Sequence, residues 1–377
     1  MIVSLLFALQ VASSPVQPLE RTDDIVVTGK LEEGAKRALT SCIARQCPPN
    51  EEIKAAIVYA TRQFMAGDYS GARDTLLESR RRNAGYATQF PVDVSNIHRA
   101  LNTLSNLDGR PDSARISAFD ATDALRAGLA PDDPLILIQR IDTAGQFSRE
   151  GRLVAARQIL EDVASKAHGK GYYGIEAQAL FRGAAIYGLM ASKNPDYRAT
   201  AARWRKRIAN RTEPEFAEYR KSLPALDAQV AALSSKADKR ITAAVPVAGD
   251  DAVLLYEPDT QFSVEGERRL SSGGNTAPEW ADVGFWVRPN GVIADVSVLQ
   301  RSESPPGSWL TKKLQAVGAR RYAPLKQPAG GPGIYRVERF SMVYEVVTVL
   351  ESRVPVRSRR GRLETIDVTA AYKKPAV

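Results

Sequence analysis

The chain has 377 residues, enough for two or three domains with buried cores, and its 44% hydrophobic and 25% charged residues are ordinary for soluble globular protein. Fifty-two Lys and Arg against 43 Asp and Glu leave a formal charge of +9, which argues against basic ligands and favours anionic surfaces.

Residues 1–14 (M-I-V-S-L-L-F-A-L-Q-V-A-S-S) form an apolar run of signal-peptide type, with a plausible cut near Val11-Ala12-Ser13. No Lys or Arg precedes the run, so an uncleaved apolar N-terminus is the alternative. It is shorter than the ~20 apolar residues that span a bilayer, and no other stretch comes close, so the mature protein is expected to be exported and soluble. Residues 15–50 read as a leader. It carries a β-type run, Ile25-Val26-Val27-Thr28, preceded by Asp23-Asp24 and ended by Gly29. It also carries the only two cysteines, Cys42 and Cys47. Outside the cytosol an isolated pair at this spacing most simply forms a local disulfide, the alternative being two reduced thiols; a metal site needs more ligands, and no His lies nearby.

Residues 51–235 read as helices in series. Three junctions share one grammar: Gly67-Asp68-Tyr69 with Ala72, Gly109-Arg110-Pro111 with Ala114, and Gly151-Arg152-Leu153 with Ala156, the glycines falling 42 residues apart both times. Gly suits the left-handed position after a helix, and Ala lets paired helices approach. The pattern resembles the tetratricopeptide repeat, in which a small residue seven positions before the Gly packs the hairpin. Ala60 and Ala144 fit that place and Asn102 does not; a fourth, degraded unit runs through Asn194-Pro195-Asp196-Tyr197 and Ala201. The resemblance implies an α-solenoid whose concave face takes peptides or protein partners. The basic runs Arg80-Arg81-Arg82 and Arg203 to Arg207 complement helix C-terminal dipoles, so capping explains them, and no nucleic-acid partner is expected.

From 236 to 280 the helical period fades, and Ala252 to Tyr256 reads as a linker strand leading to the sheet. A hairpin follows: Val283, Phe285 and Val287 alternate before Pro289-Asn290-Gly291, and Val292, Ala294, Val296 and Val298 alternate after it. Leu310, Leu314 and Val317 then make one stripe of a short helix. Arg320-Arg321-Tyr322-Ala323-Pro324 and a Gly/Pro loop lead into a long strand from Ile334, with Phe340, Met342, Tyr344 and Val346 on one face. The tail from 351 is expected to be mobile, with room for one more edge strand.

The set Gly291, Val292, Asp295, Val296, Arg320, Tyr322 and Pro324, in the order strand, strand, helix, strand over about 281–350, resembles the C-terminal domain of TonB-family proteins. The expected fold is therefore α+β in two domains: an N-terminal α-solenoid of tetratricopeptide-like hairpins and a small C-terminal β-β-α-β domain. The family resemblance implies capture of outer-membrane receptor segments by strand addition. On that reading the edge of the last strand docks the partner through Tyr335, Val337 and Arg339, and Ile25 to Thr28 resembles the receptor segment, the TonB box. No spanning anchor or long Pro-rich spacer of the family's kind is read in this sequence, so no path for force from the inner membrane is expected.

Motifs of chemistry are scarce. H-E-x-x-H, G-x-x-x-x-G-K-[ST] and G-x-S-x-G do not occur; the one G-x-G-x-x-G, Gly169 to Gly174, falls between predicted helices, without the strand a dinucleotide site needs. No catalytic residue, cofactor or metal is expected. The expectation is a non-enzymatic adaptor in the periplasm of a Gram-negative bacterium, TonB-dependent receptors being its implied partners and anionic envelope surfaces a peripheral contact. The alternative is a periplasmic scaffold whose TonB-like domain is structural or paired with residues 25–28.

Overall fold

A computed structural model of the chain describes residues 24–234, 250–257, 278–303, 308–348 and 355–372. They combine helices and antiparallel strands, as an α+β chain should. The helical part runs α1 (Asp24–Ala44), α2 (Pro49–Met65), α3 (Tyr69–Asn83), α4 (Pro91–Leu107), α5 (Pro111–Gly128), α6 (Pro134–Arg149), α7 (Leu153–Gly169), α8 (Tyr173–Lys193), α9 (Arg198–Ala209) and α10 (Ala217–Ser234). The remainder comprises β1 (Leu254–Tyr256), β2 (Glu279–Val287), β3 (Ile293–Arg301), α11 (Trp309–Gly318), β4 (Arg321–Tyr322), β5 (Ile334–Thr348) and β6 (Pro355–Asp367).

Three helical hairpins, α2/α3, α4/α5 and α6/α7, are built alike. Each opens with Pro in its first turn, where the missing N–H has no partner to lose. Each first helix ends at a Gly of positive φ: +87° at Gly67, +70° at Gly109 and +72° at Gly151. The next residue donates its N–H to the carbonyl five positions back: Asp68 to Gln63 and Arg110 to Ser105 at 2.8 Å, and Arg152 to Phe147 at 2.9 Å. This double-bonded helix end needs a left-handed residue, which is why Gly recurs. Ala72, Ala114 and Ala156 are wholly buried where the second helix meets the first. Asn102, the misfit in the repeat, is accommodated by chemistry instead of size. Its amide donates to the Ala114 carbonyl at 2.7 Å and to Gln146 Oε1 at 3.3 Å, bridging within the hairpin and on to the next.

The leader departs from expectation. Ile25 to Thr28 fall in α1, not in an extended run, and Gly29 lies inside that helix. β-propensity is a weak preference of short segments, and here the helix-forming stretch from Lys30 to Ala44 extends back through it. α1 packs on α2, and the disulfide Cys42–Cys47 closes the turn between them with Cα atoms 5.1 Å apart. In this structure residues 25–28 do not pair with the sheet.

The main sheet has the order β3-β2-β5-β6, all antiparallel, while β1 pairs with β4 in a separate two-stranded sheet. The linker strand thus joins the Arg320 corner and not the hairpin. The hairpin forms around Gly291 (φ +77°), but β3 departs from strict alternation: its register with β2 shifts twice, and Asp295 takes φ +54°. Bulges of this kind blunt an edge strand. Ala281, Val283, Phe285, Val287, Phe340 and Met342 face α11, whose Leu310 and Val317 complete that core. The tail supplies the edge strand for which the sequence left room, and it is not mobile there: β6 pairs along β5 from Glu338 to Thr348. Among the described residues no helix is long and apolar enough to cross a membrane.

Candidate functional site

The residues expected at a docking edge lie elsewhere. Tyr335, Val337 and Arg339 project from the sheet face opposite α11 and are buried there. The edge itself is taken: β6 pairs with Glu338 onward, and near its start Val337 accepts from the Val368 N–H at 2.9 Å and donates to Thr369 Oγ1 at 2.9 Å. Strand periodicity assigns the face correctly; it carries no information on what covers that face. What covers it is the helical array. Trp286, Tyr335, Val337 and Val368 form a core with Phe64 and Met65, which end α2.

Arg339 is the centre of this junction. Its guanidinium binds Asp282 through Nε at 2.6 Å and Nη2 at 2.7 Å, and both side chains are 0% exposed. It also donates to the Phe64 and Met65 carbonyls, which are among the orphan acceptors at the end of α2. The Trp280 ring lies 3.8 Å from its carbon and the Phe64 ring 4.7 Å. Tyr372 donates to Asp282, and beside this cluster Tyr69 meets Ser341 at 3.1 Å. Burial and the Asp282 carboxylate both push the Tyr372 hydroxyl well above the ordinary tyrosine range. The hairpin glycines make the close approach possible: a Cβ on Gly67 would strike the Trp280 indole, and one on Gly109 would lie 2.1 Å from the Tyr344 carbonyl oxygen. Val346 donates to the Gly109 carbonyl at 2.7 Å.

A second charged cluster lies under α11. Arg320 bonds Glu338 at 2.8 Å and both oxygens of Glu257 at 3.3 Å, and Lys313 also reaches Glu257. Burial alone would raise the Glu257 pKa, but Arg320 and Lys313 outweigh it and hold the carboxyl below its usual value. Burial pushes the Tyr322 hydroxyl up to about 12. These pairings tie β1 and α11 to the sheet. The corner motif read from the sequence is thus a buried ionic joint.

Between the array and the sheet lies a cavity of about 520 Å³. Its walls are the first helices of successive hairpins, α2, α4 and α6, together with α8, and it is closed on one side by residues 364–367 of β6. The wall is polar. Gln146 bonds Asn106 at 2.8 Å, Asp142 lies 3.7 Å from both Arg99 and Arg182, and Arg149 meets Glu364 at 3.3 Å. Burial depresses the Arg149 pKa; Glu364 opposes this, and Arg362 and Arg182 add to it. None of these residues stands out in the sequence. The available signal was polar side chains at i, i+3 or i+4, and i+7 along helices that begin each repeat: Arg99, Asn102 and Asn106 in α4, and Asp142, Gln146 and Arg149 in α6.

The two histidines do different work. His168 Nδ1 lies 3.1 Å from Glu176, which also receives Arg211 at 3.0 Å. His98 is buried, with Nδ1 lacking a hydrogen-bond partner and Asp120 at 3.5 Å. Among the described residues, Cys42, Cys47 and Glu51 alone cluster with metal-ligand spacing, and the two thiols there are joined to each other.

No family model matches the chain, and no curated protein or solved structure matches it either.

Proposed function

We propose that this chain is a non-enzymatic binding protein in which the helical array and the C-terminal sheet together hold a segment of a partner protein, in the manner of an envelope scaffold. The observation that carries the reading is the cavity of about 520 Å³ between the first helices of the repeats and β6. Helical arrays commonly bind through this concave side, and here the sheet forms the opposite wall. The Cys42–Cys47 disulfide supports an exported, periplasmic setting.

The test is site-specific photo-crosslinking in the full-length protein. A crosslinker at Thr103, exposed within the cavity, is expected to yield a defined adduct with a partner protein. One at Val154, exposed on α7 outside it, is not. Equal adduct patterns from both positions would sink the reading.

A second reading is TonB-like capture of receptor segments by strand addition. The order strand, strand, helix, strand supports it, and β6 itself demonstrates that the β5 edge accepts a strand. On this reading a D-I-V-V-T-G peptide binds a chain ending at Val354 and not the full chain, where β6 occupies the edge. Failure to bind either form removes it.

A further inference from the structure

The cavity has two properties that specify what fills it, given the groove-binding reading above. The first is charge. Arg149 is matched by Glu364 at 3.3 Å, and Arg362 by Glu345 at 2.6 Å with Glu364 again at 2.8 Å. Asp367 is engaged by Arg336. That leaves Asp142 shared by Arg99 and Arg182, each at 3.7 Å, beyond the ~2.7–2.9 Å of a charge-assisted hydrogen bond. Among the charged side chains that line the cavity, Arg99, Arg149 and Arg182 balance Asp142, Glu364 and Asp367 in number. Asp367, however, is engaged by Arg336 outside the lining, so two guanidinium groups are left to share Asp142. The Arg182 guanidinium reaches this place over Gly145, where a Cβ would lie 3.3 Å from its Nη1. A glycine inside a helix is unfavourable relative to Ala, and here it leaves room for that arginine.

The second property is a main-chain edge. β6 is the terminal strand of the sheet, and residues 364, 365, 366 and 367 all line the cavity. Successive side chains of a strand point to opposite faces, so four residues in a row border one space only when the strand's outer edge is turned toward it. At about 3.3 Å per residue this edge spans a guest of similar length.

We propose that the cavity binds three or four residues of an extended acidic peptide, laid along the outer edge of β6 with one carboxylate seated between Arg99 and Arg182. Main-chain hydrogen bonds to β6 would hold the backbone, and the paired guanidinium groups would select the acid. Asp142 is then a competitor for the two arginines in the empty groove.

The experiment is fluorescence anisotropy on the full chain with labelled pentapeptides T-V-E-V-T, T-V-Q-V-T and T-V-K-V-T. The glutamate peptide is expected to bind on the order of tenfold tighter than the glutamine peptide, the lysine peptide weakest, and rising salt should erase the difference. Arg99→Met and Arg182→Met should each abolish the acid preference while leaving affinity for the glutamine peptide. Asp142→Asn should instead tighten binding of the glutamate peptide, a gain that misfolding cannot imitate. Equal binding of all three peptides overturns the acid specificity and leaves groove binding standing. A preference that survives Arg99→Met and Arg182→Met together places the carboxylate elsewhere and overturns the site. No binding of any peptide, with a Thr103 adduct still formed, overturns the extended-peptide class alone. Loss of both overturns the groove reading as well.

Discussion

Arg339 and Asp282 are both 0% exposed, and the pair is the point at which the sheet meets α2. Removing one partner leaves an uncompensated buried charge, so Asp282→Asn or Arg339→Met should cost about 3–5 kcal/mol in urea unfolding. The exposed pair Arg288–Asp295 should be worth no more than about 1 kcal/mol in the same assay. From the sequence, Arg339 is an odd-numbered residue of a strand whose even face is apolar, and an outward arginine is the ordinary expectation for such a position. Its actual surroundings come from residues some 275 positions away, Phe64 and Met65, which no local pattern encodes. His98 is a second buried group with a measurable consequence. Burial first, opposed by Asp120 and assisted by Arg80, holds its pKa below the usual 6.5, so the folded protein keeps it neutral. The unfolded chain takes up the proton first. Stability from this residue is therefore present above the usual value and lost as pH falls from there toward the folded one. The fall in Tm between about pH 7.5 and 5.5 should shrink in His98→Gln; an unchanged fall would exclude His98 as a source of that pH dependence.

At the scale of elements, the hairpin grammar was legible because each term has a local cause. Gly67, Gly109 and Gly151 supply the left-handed turn, and Ala72, Ala114 and Ala156 the close helix contact. The three turns differ in what they touch, which local sequence does not reveal. Gly151→Ala meets open space and should cost only the left-handed strain, about 1–2 kcal/mol. Gly109→Ala has nearly the same φ but drives a Cβ to 2.1 Å from the Tyr344 carbonyl, adding about 1–3 kcal/mol of overpacking. The difference between these two variants in thermal unfolding measures sheet docking; equal losses would mean that the β5–turn contact contributes nothing. Two elements were poorly legible for the same reason. The I-V-V-T run has strand propensity and lies in α1, while the arginine-rich tail, with little apolar pattern, left room for an edge strand without specifying it and forms β6. In both, a neighbouring element decides: the helix continuing from Lys30 in one, and the long open edge of β5 in the other.

The whole molecule resolves a problem that the sheet alone would have. An antiparallel sheet usually buries one face and leaves the other to water. Here α11 covers one face, and the ends of α2 and α4 cover the other through Phe64, Met65 and Gly109. The helical array therefore has an adherent wall, and the cavity exists because that wall stands beside its concave side. If this docking is what unites the molecule, helix and sheet should unfold together. Three of the four tryptophans, Trp280, Trp286 and Trp309, report on the sheet region and Trp204 in α9 on the array, so fluorescence is weighted to the sheet, while far-ultraviolet dichroism is dominated by the helices. In urea the fluorescence and dichroism transitions of the intact chain should coincide, since coincident probes are the mark of a single cooperative unit. In Asp282→Asn they should separate, fluorescence changing first, because the lost pair lies at the junction and not within the array. Separate transitions already in the unaltered protein would show two independently stable bodies, and the shared cavity could then not be a fixed site.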